Sequence, residues 1–226
     1  MRNEEKNLYT RSIVLLGGGG HCKSVLDTVI RGNLYDKIYI TDPHIPAGTV
    51  ILDRATVVGN DETLLSLIEK GIRNAFITVG VIEPSPIRYD LYTYAAELGF
   101  HFPDLIDPGA IVSSSVILGE STVKEKKGEG IFVGKAAVIN ADAVIGKCSI
   151  INTASVIEHE CVIGAFTHIS VGVILCGQVA VGCNTFIGAG STVRQGIKIG
   201  RNVLIGANSL VLRDVKDGEK VVGVVK

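Results

Sequence analysis

Glu158, His159 and Glu160 set an imidazole between two carboxylates. A carboxylate beside a histidine orients the ring and makes it more basic, which suits a general base. A solvated polar corner is the competing reading of three such residues in isolation. His168 follows nine residues after His159, and Asn152 precedes it by seven. A second group lies near the start, where Gly17–Gly20 is followed by His21, with Asp42 further along. Backbone amides at a helix N-terminus attract phosphate. A carboxylate at the end of the second strand of an α/β unit suits ribose hydroxyls. Gly17-x-Gly19 opens a dinucleotide fingerprint, but Cys22 stands at the third glycine position. A tight strand-to-helix turn with no ligand therefore weighs equally in the balance.

The elements that must carry these groups are of two kinds. From Val133 through Ile139, Ile145, Ile151 and onward to Val211, fourteen aliphatic residues keep an unbroken six-residue spacing. That period belongs to a parallel β-helix, in which a short flat strand and a turn make one unit. The residue two places before each aliphatic position shares its side of the strand, and it is mostly small: Ala137, Ala143, Ser149, Ser155, Cys161, Thr167. The residue just after is usually Gly or Asn, as at Gly134, Asn140, Gly146, Asn152 and Gly164. Those types tolerate a left-handed backbone, so they are expected to form the tight corners. If three hexads close a coil of ~18 residues, His168 lies half a coil beyond His159 and both histidines are expected to face one groove.

Upstream, strand and helix signals alternate. Strands are expected at Ser12–Leu16, Lys37–Thr41 and Asn74–Val79, with a doubtful one near Val57 in Thr49–Gly59. Helices are expected at His21–Arg31, at Asp61–Lys70 with Asp61 as its cap, and at Pro86–Leu98. Such alternation argues for a small parallel sheet with helices on its faces. An earlier six-spaced set, Ile111, Ile117 and Val123, is separated from Val133 by the charged Lys124–Gly130 segment, which reads as a loop extruded from one corner.

Composition narrows the function classes. The chain has 226 residues, a net charge of −1 and 20% charged residues, so no electrostatic nucleic-acid surface is expected. No apolar run is long enough to span a bilayer, no signal peptide is recognisable, and the polar residues 1–10 read as a disordered tail. The five cysteines include no CxxC pair, which fits a reducing cytoplasm. Cys148, Cys161 and Cys183 read as small fillers inside the repeat.

The segments IINTASVIEHECVIGAFTHISVG (150–172) and VAVGCNTFIGAGSTVRQGIKIGRNVLIGANSLVLRDV (179–215), with the GGGGH turn, resemble the nucleotide-sugar acetyltransferases of the left-handed β-helix superfamily. Within it the chain is similar to UDP-4-amino-sugar N-acetyltransferases and to sialic acid O-acetyltransferases. The resemblance implies a Rossmann-like sugar-nucleotide domain over residues 11–107 and a left-handed β-helix over 108–226. It implies His159 as general base and Glu160 as its orienting partner. Asn152 and His168 match positions around the amine and the acetyl group, and Gly177 matches a position whose amide meets the thioester carbonyl. Gly17, Gly19, Gly20 and His21 would hold a UDP-amino-sugar, with Asp42 at its ribose or base. Acetyl-CoA would lie between subunits of a homotrimer, touching His168 and Gly177. No metal is expected. β-Helix carbonic anhydrases hold zinc through three histidines, and this repeat has two, so a third ligand would have to come from a carboxylate or His21. A catalytically silent sugar-nucleotide binder is the remaining alternative. Two departures stand out: the chain ends Val222–Lys226 without a proline–alanine loop, and the Lys124–Gly130 segment is long.

Overall fold

A computed structural model describes residues 11–119 and 129–226. The N-terminal tail, Val123 and most of the Lys124–Gly130 segment lie outside the described residues. Contacts divide the chain into two units. One runs to Gly80 and resumes at Ile87–Pro103; the other comprises Val81–Pro86 and Asp104–Lys226.

In the first unit, β1 (Ser12–Leu16) is buried along its whole length. It pairs in parallel with β2 (Lys37–Thr41) on one side and β5 (Asn74–Ile77) on the other. β4 (Ala55–Gly59) extends the sheet beyond β2, and the two-residue β3 (Val50–Ile51) closes back on it antiparallel. The ambiguous 49–59 stretch is thus a hairpin, turned through Leu52 and Asp53 at φ 50° and 53°. Helix α1 (Gly20–Arg31) buries Cys22, Val25, Leu26, Thr28 and Val29, a stripe at helical spacing. Helix α2 (Leu64–Glu69) is entered through a 3₁₀ turn at Asp61–Thr63. The cap of that turn is Asn60, whose side chain accepts the Glu62 N–H, and not Asp61 as expected. Asp61 is diverted because its carboxylate accepts the Thr41 hydroxyl at 2.6 Å. Helix α3 spans Ile87–Glu97. The chain leaves β1 for β2 on one side and returns to β5 on the other. The carboxyl ends of β1 and β5 therefore flank a topological switch point, where open α/β sheets bind ligands.

The second unit is a left-handed parallel β-helix with three faces. The first face stacks the strands beginning at Ile111, Val138, Val156, Ile174, Thr192, Leu210 and Val224. The second stacks those beginning at Ile117, Val144, Val162, Ala180 and Lys198, and the third those at Leu105, Phe132, Ile150, His168, Phe186, Leu204 and Lys220. Ile157 pairs with Leu175 and Ile151 with Ile169, so each coil takes eighteen residues. The fourteen aliphatic residues are all buried, at most 3% exposed, and the small residues two places earlier lie inside with them. Burial of each isoleucine contributes roughly 1.5–3 kcal/mol. Inward hydroxyls are satisfied locally: Ser149, Thr167 and Thr185 donate to the carbonyls of Gly164, Gly182 and Gly200 at 2.8–3.0 Å.

The corners differ from expectation. From Val133 to Ile205 the left-handed residue is the third after each aliphatic position, not the first. Ala136, Asp142, Cys148, Ala154, Glu160, Phe166 and Gln178 have φ of 53–62°. Each costs energy there. Each also donates its N–H into the coil before it, as Ala154 does to the Lys135 carbonyl at 2.8 Å and Phe166 to Lys147 at 2.8 Å. Glycine follows the aliphatic residue for another reason: a Cβ on Gly146, Gly164 or Gly182 would stand 2.5 Å from the backbone nitrogen of Ala165, Cys183 or Arg201 in the next coil. Cys183 is also corrected, since it is exposed while Cys161 and Cys148 are buried.

Candidate active site

The corner between the first and second faces is built differently from the others. Stacked along it are Asn140, Glu158, Cys176 and Arg194, where the corner between the second and third faces stacks Gly146, Gly164, Gly182 and Gly200. Side chains rather than bare backbone therefore form this rim. His159 and Glu160 project from it, half exposed. His159 Nδ1 lies 3.0 Å from Glu160 Oε2, and Gln178 Nε2 donates to the same oxygen at 3.2 Å. The left-handed backbone of Glu160, with its N–H on the Ala141 carbonyl at 3.0 Å, fixes where that carboxylate stands. Hydrogen bonds from His159 and then Gln178 hold the Glu160 carboxyl below its ordinary pKa. An ionised carboxylate accepts only, so Nδ1 carries a proton, and in the neutral imidazole Nε2 then presents a lone pair. Nε2 points over Gly177, where a Cβ would stand 2.5 Å from it. The Gly177 carbonyl accepts from Gly196, while its N–H makes no hydrogen bond among the described residues. A base and a free amide donor thus sit side by side. Gln178 is the contributor that the sequence reading missed; its eighteen-residue offset from Glu160 was the available signal.

His168 and Asn152 form a separate cluster on the third face, so the two histidines do not share one groove within a chain. Asn152 Oδ1 accepts the Thr153 N–H at 2.8 Å, which turns its Nδ2 toward His168 Nε2 at 3.2 Å. His168 Nδ1 then donates to the Val81 carbonyl at 2.9 Å. The ring is buried, neutral in this network and edge-on to Phe186. Half a coil after an outward corner, a strand residue points from a different face; the six-residue spacing alone did not convey that.

In the first unit, a cavity of about 600 Å³ opens at the switch point. It is lined by Gly17, Gly19, Gly20 and His21, with Asp42, Asp61 and Tyr94 among its other walls. Gly19 and Gly20 have no neighbour where a Cβ would be, so backbone faces the space directly. Gly18 faces away: a Cβ there would strike Ile45. Asp42 Oδ2 accepts the Gly18 N–H at 2.7 Å and Oδ1 the His44 N–H at 2.8 Å. Burial pushes the Asp42 pKa up, and the N–H groups of Gly18, His44 and Ile45 outweigh that and leave it lowered. Asp42 therefore shapes the glycine turn as well as lining the cavity. Asp61, Thr78 and Tyr94 were not anticipated, because they come from three elements distant in sequence.

Among the described residues, no three His, Cys, Asp or Glu side chains converge as a metal-binding group, and no helix is long and apolar enough to cross a membrane.

Two family descriptions match: the PglD N-terminal domain over residues 12–84, and the bacterial transferase hexapeptide (six repeats) over 178–213. PerB from Caulobacter crescentus, crystallised with CoA and GDP-perosamine, is 34% identical, with 94% of each chain covered and a TM-score of 0.81. The acetyltransferase domain of PglB from Neisseria gonorrhoeae, crystallised with acetyl coenzyme A, is 33% identical over 94% of this chain and 96% of that one, with a TM-score of 0.83. The chain belongs to the hexapeptide-repeat sugar N-acetyltransferase family. WeeI from Acinetobacter baumannii, 21% identical over 93% of this chain and 96% of that one with a TM-score of 0.77, shares the fold. No curated protein matches this sugar acetyltransferase homologue in sequence.

Proposed function

We propose that this protein transfers acetyl from acetyl-CoA to the amino group of a UDP-linked deoxy-amino-sugar, with His159 as general base. The observation that carries the reading is the His159–Glu160 pair beside the free Gly177 N–H. The neutral amine attacks the thioester carbonyl carbon, and a C–N bond forms. The Gly177 N–H meets the developing oxyanion. His159 Nε2 takes the amine proton, and the Glu160 carboxylate supports the resulting imidazolium. The C–S bond then breaks, and the imidazolium returns the proton to the departing thiolate. Proximity supplies much of the remaining rate. The cavity at Gly17–His21 takes the nucleotide, with backbone amides on its diphosphate. A GDP-linked sugar is the second reading, because the similar PerB holds GDP-perosamine.

Homotrimeric assembly completes this account. The outward residues of the first face, Ile111, Val138, Val156, Ile174, Leu210 and Val224, form an almost unbroken aliphatic ladder, and Val162 on the second face is exposed beside it. Such contiguous apolar surface suits a partner subunit, and a subunit seated there would turn the His159 rim into a groove for acetyl-CoA. The unpaired cysteines fit the cytoplasm. The deciding experiment incubates the protein with acetyl-CoA and a panel of UDP- and GDP-linked amino sugars and follows thiol release. Turnover with a nucleotide amino sugar supports the reading; release with none of them, from folded protein that binds CoA, contradicts it.

A further inference from the structure

The rim that carries His159 changes electrical sign along its length. Residues eighteen apart stack, so Glu158, Cys176 and Arg194 form one file, and Glu160, Gln178 and Gly196 another. The His159 coil is acidic on both sides of the imidazole. The next coil is neutral, and the one after it presents Arg194. Arg194 is exposed, its backbone N–H is used by the Val211 carbonyl at 3.0 Å, and its guanidinium makes no hydrogen bond or ion pair among the described residues. Further along the chain, Glu219 and two carbonyls already occupy the Arg213 guanidinium. We infer that Arg194 is the anion-binding residue for the diphosphate of the acyl donor. This rests on the proposed acetyl-CoA reading and assigns a donor subsite within it.

The geometry fits the donor's shape. Coils stack at ~4.8 Å, so Arg194 lies about 10 Å from the His159 coil along the axis. The arm between thioester and diphosphate is comparable to four extended residues, about 14 Å, and an arginine side chain spans the remainder. A neutral thioester at His159, an uncharged arm over Gly177 and Cys176, and a diphosphate at Arg194 match the file's order. The acidic pair Glu158 and Glu160 repels the diphosphate from the reacting end, which sets polarity. A guanidinium is suited to such groups because it can donate to two oxygens at once.

The test compares wild type, Arg194→Ala and Arg194→Lys with two donors, acetyl-CoA and acetyl-pantetheine, which lacks the diphosphate. CoA affinity is read separately by calorimetry, and assembly by light scattering. Arg194→Ala is expected to weaken CoA roughly 10–100-fold, the worth of a charge-assisted contact, with kcat at saturation, assembly and kcat/KM for acetyl-pantetheine unchanged. Arg194→Lys should recover part of the affinity. Equal losses with both donors, a change in assembly, or CoA affinity within twofold of wild type overturns the assignment. Wild-type protein that binds no CoA removes the acetyl-CoA reading itself; wild-type binding that survives Arg194→Ala removes the subsite alone.

Discussion

The imidazole of His159 rests on the backbone of Gly177, eighteen residues and one coil later. A Cβ built at Gly177 would come within 2.5 Å of Nε2, and its own φ is not in the left-handed region. Glycine is therefore required by the histidine ring and not by the turn. Gly177→Ala is expected to push the ring off its place and lower kcat at least tenfold, while the melting temperature moves little because the neighbouring side chain is half exposed. Kinetics together with a thermal melt on the same sample check this; unchanged kcat would show that the ring position is irrelevant to turnover.

His168 is expected to behave as a structural anchor. Its ring nitrogens are committed to Asn152 and to the Val81 carbonyl. His168→Phe removes both contacts from a buried site and should cost about 1–3 kcal/mol, read by urea denaturation. If stability is unchanged and KM for a substrate rises sharply instead, His168 contacts that substrate.

Much of the β-helix was legible because its inside is one-dimensional. Val133 to Val211 recur every six residues and every one is buried. The corners were misassigned because two requirements fall on neighbouring positions. Gly164 is glycine to let Cys183 approach from the next coil, whereas the left-handed strain two residues later is carried by Phe166 and offset by its bond to Lys147. Propensity alone cannot separate close approach from backbone conformation. The EHE motif was legible as chemistry because its three residues are consecutive, whereas Gln178 reaches it from the next coil. The cavity was not: Thr41, Asp61, Thr78 and Tyr94 meet only after the sheet is assembled.

The interior register is tested by Ile187→Asp. Ile187 is fully buried between Ile169 and Ile205 in adjacent coils. An unpaired carboxylate there has no partner and should abolish soluble folded protein. A normal cooperative melt would refute the register.

Thiol reactivity provides an independent map. Burial pushes Cys22 and Cys161 up to about 11, so neither is a thiolate near neutrality. A raised thiol pKa favours folding below the ordinary value of 9.0 and loses that contribution as pH climbs toward about 11. At pH 8, native protein should react with a thiol reagent at exposed Cys183 and more slowly at half-buried Cys176. CoA should protect Cys176, which adjoins Gly177 on the rim, and leave Cys183 reactive. Mass mapping of the labelled peptides decides; protection of Cys183 alone would put the donor on another corner.

The most direct test is steady-state turnover by His159→Ala and Glu160→Gln with acetyl-CoA and the best nucleotide amino sugar. As general base, His159 should be worth about 10²–10⁴-fold in kcat, with CoA affinity nearly unchanged. Glu160 is held below its ordinary pKa; its support is present above the ordinary carboxylate value and lost only as pH falls through the lowered one. Glu160→Gln should therefore lower the rate less than His159→Ala, because the imidazolium formed during transfer loses its charged partner. Folded His159→Ala protein with activity within a few-fold of wild type would contradict the account.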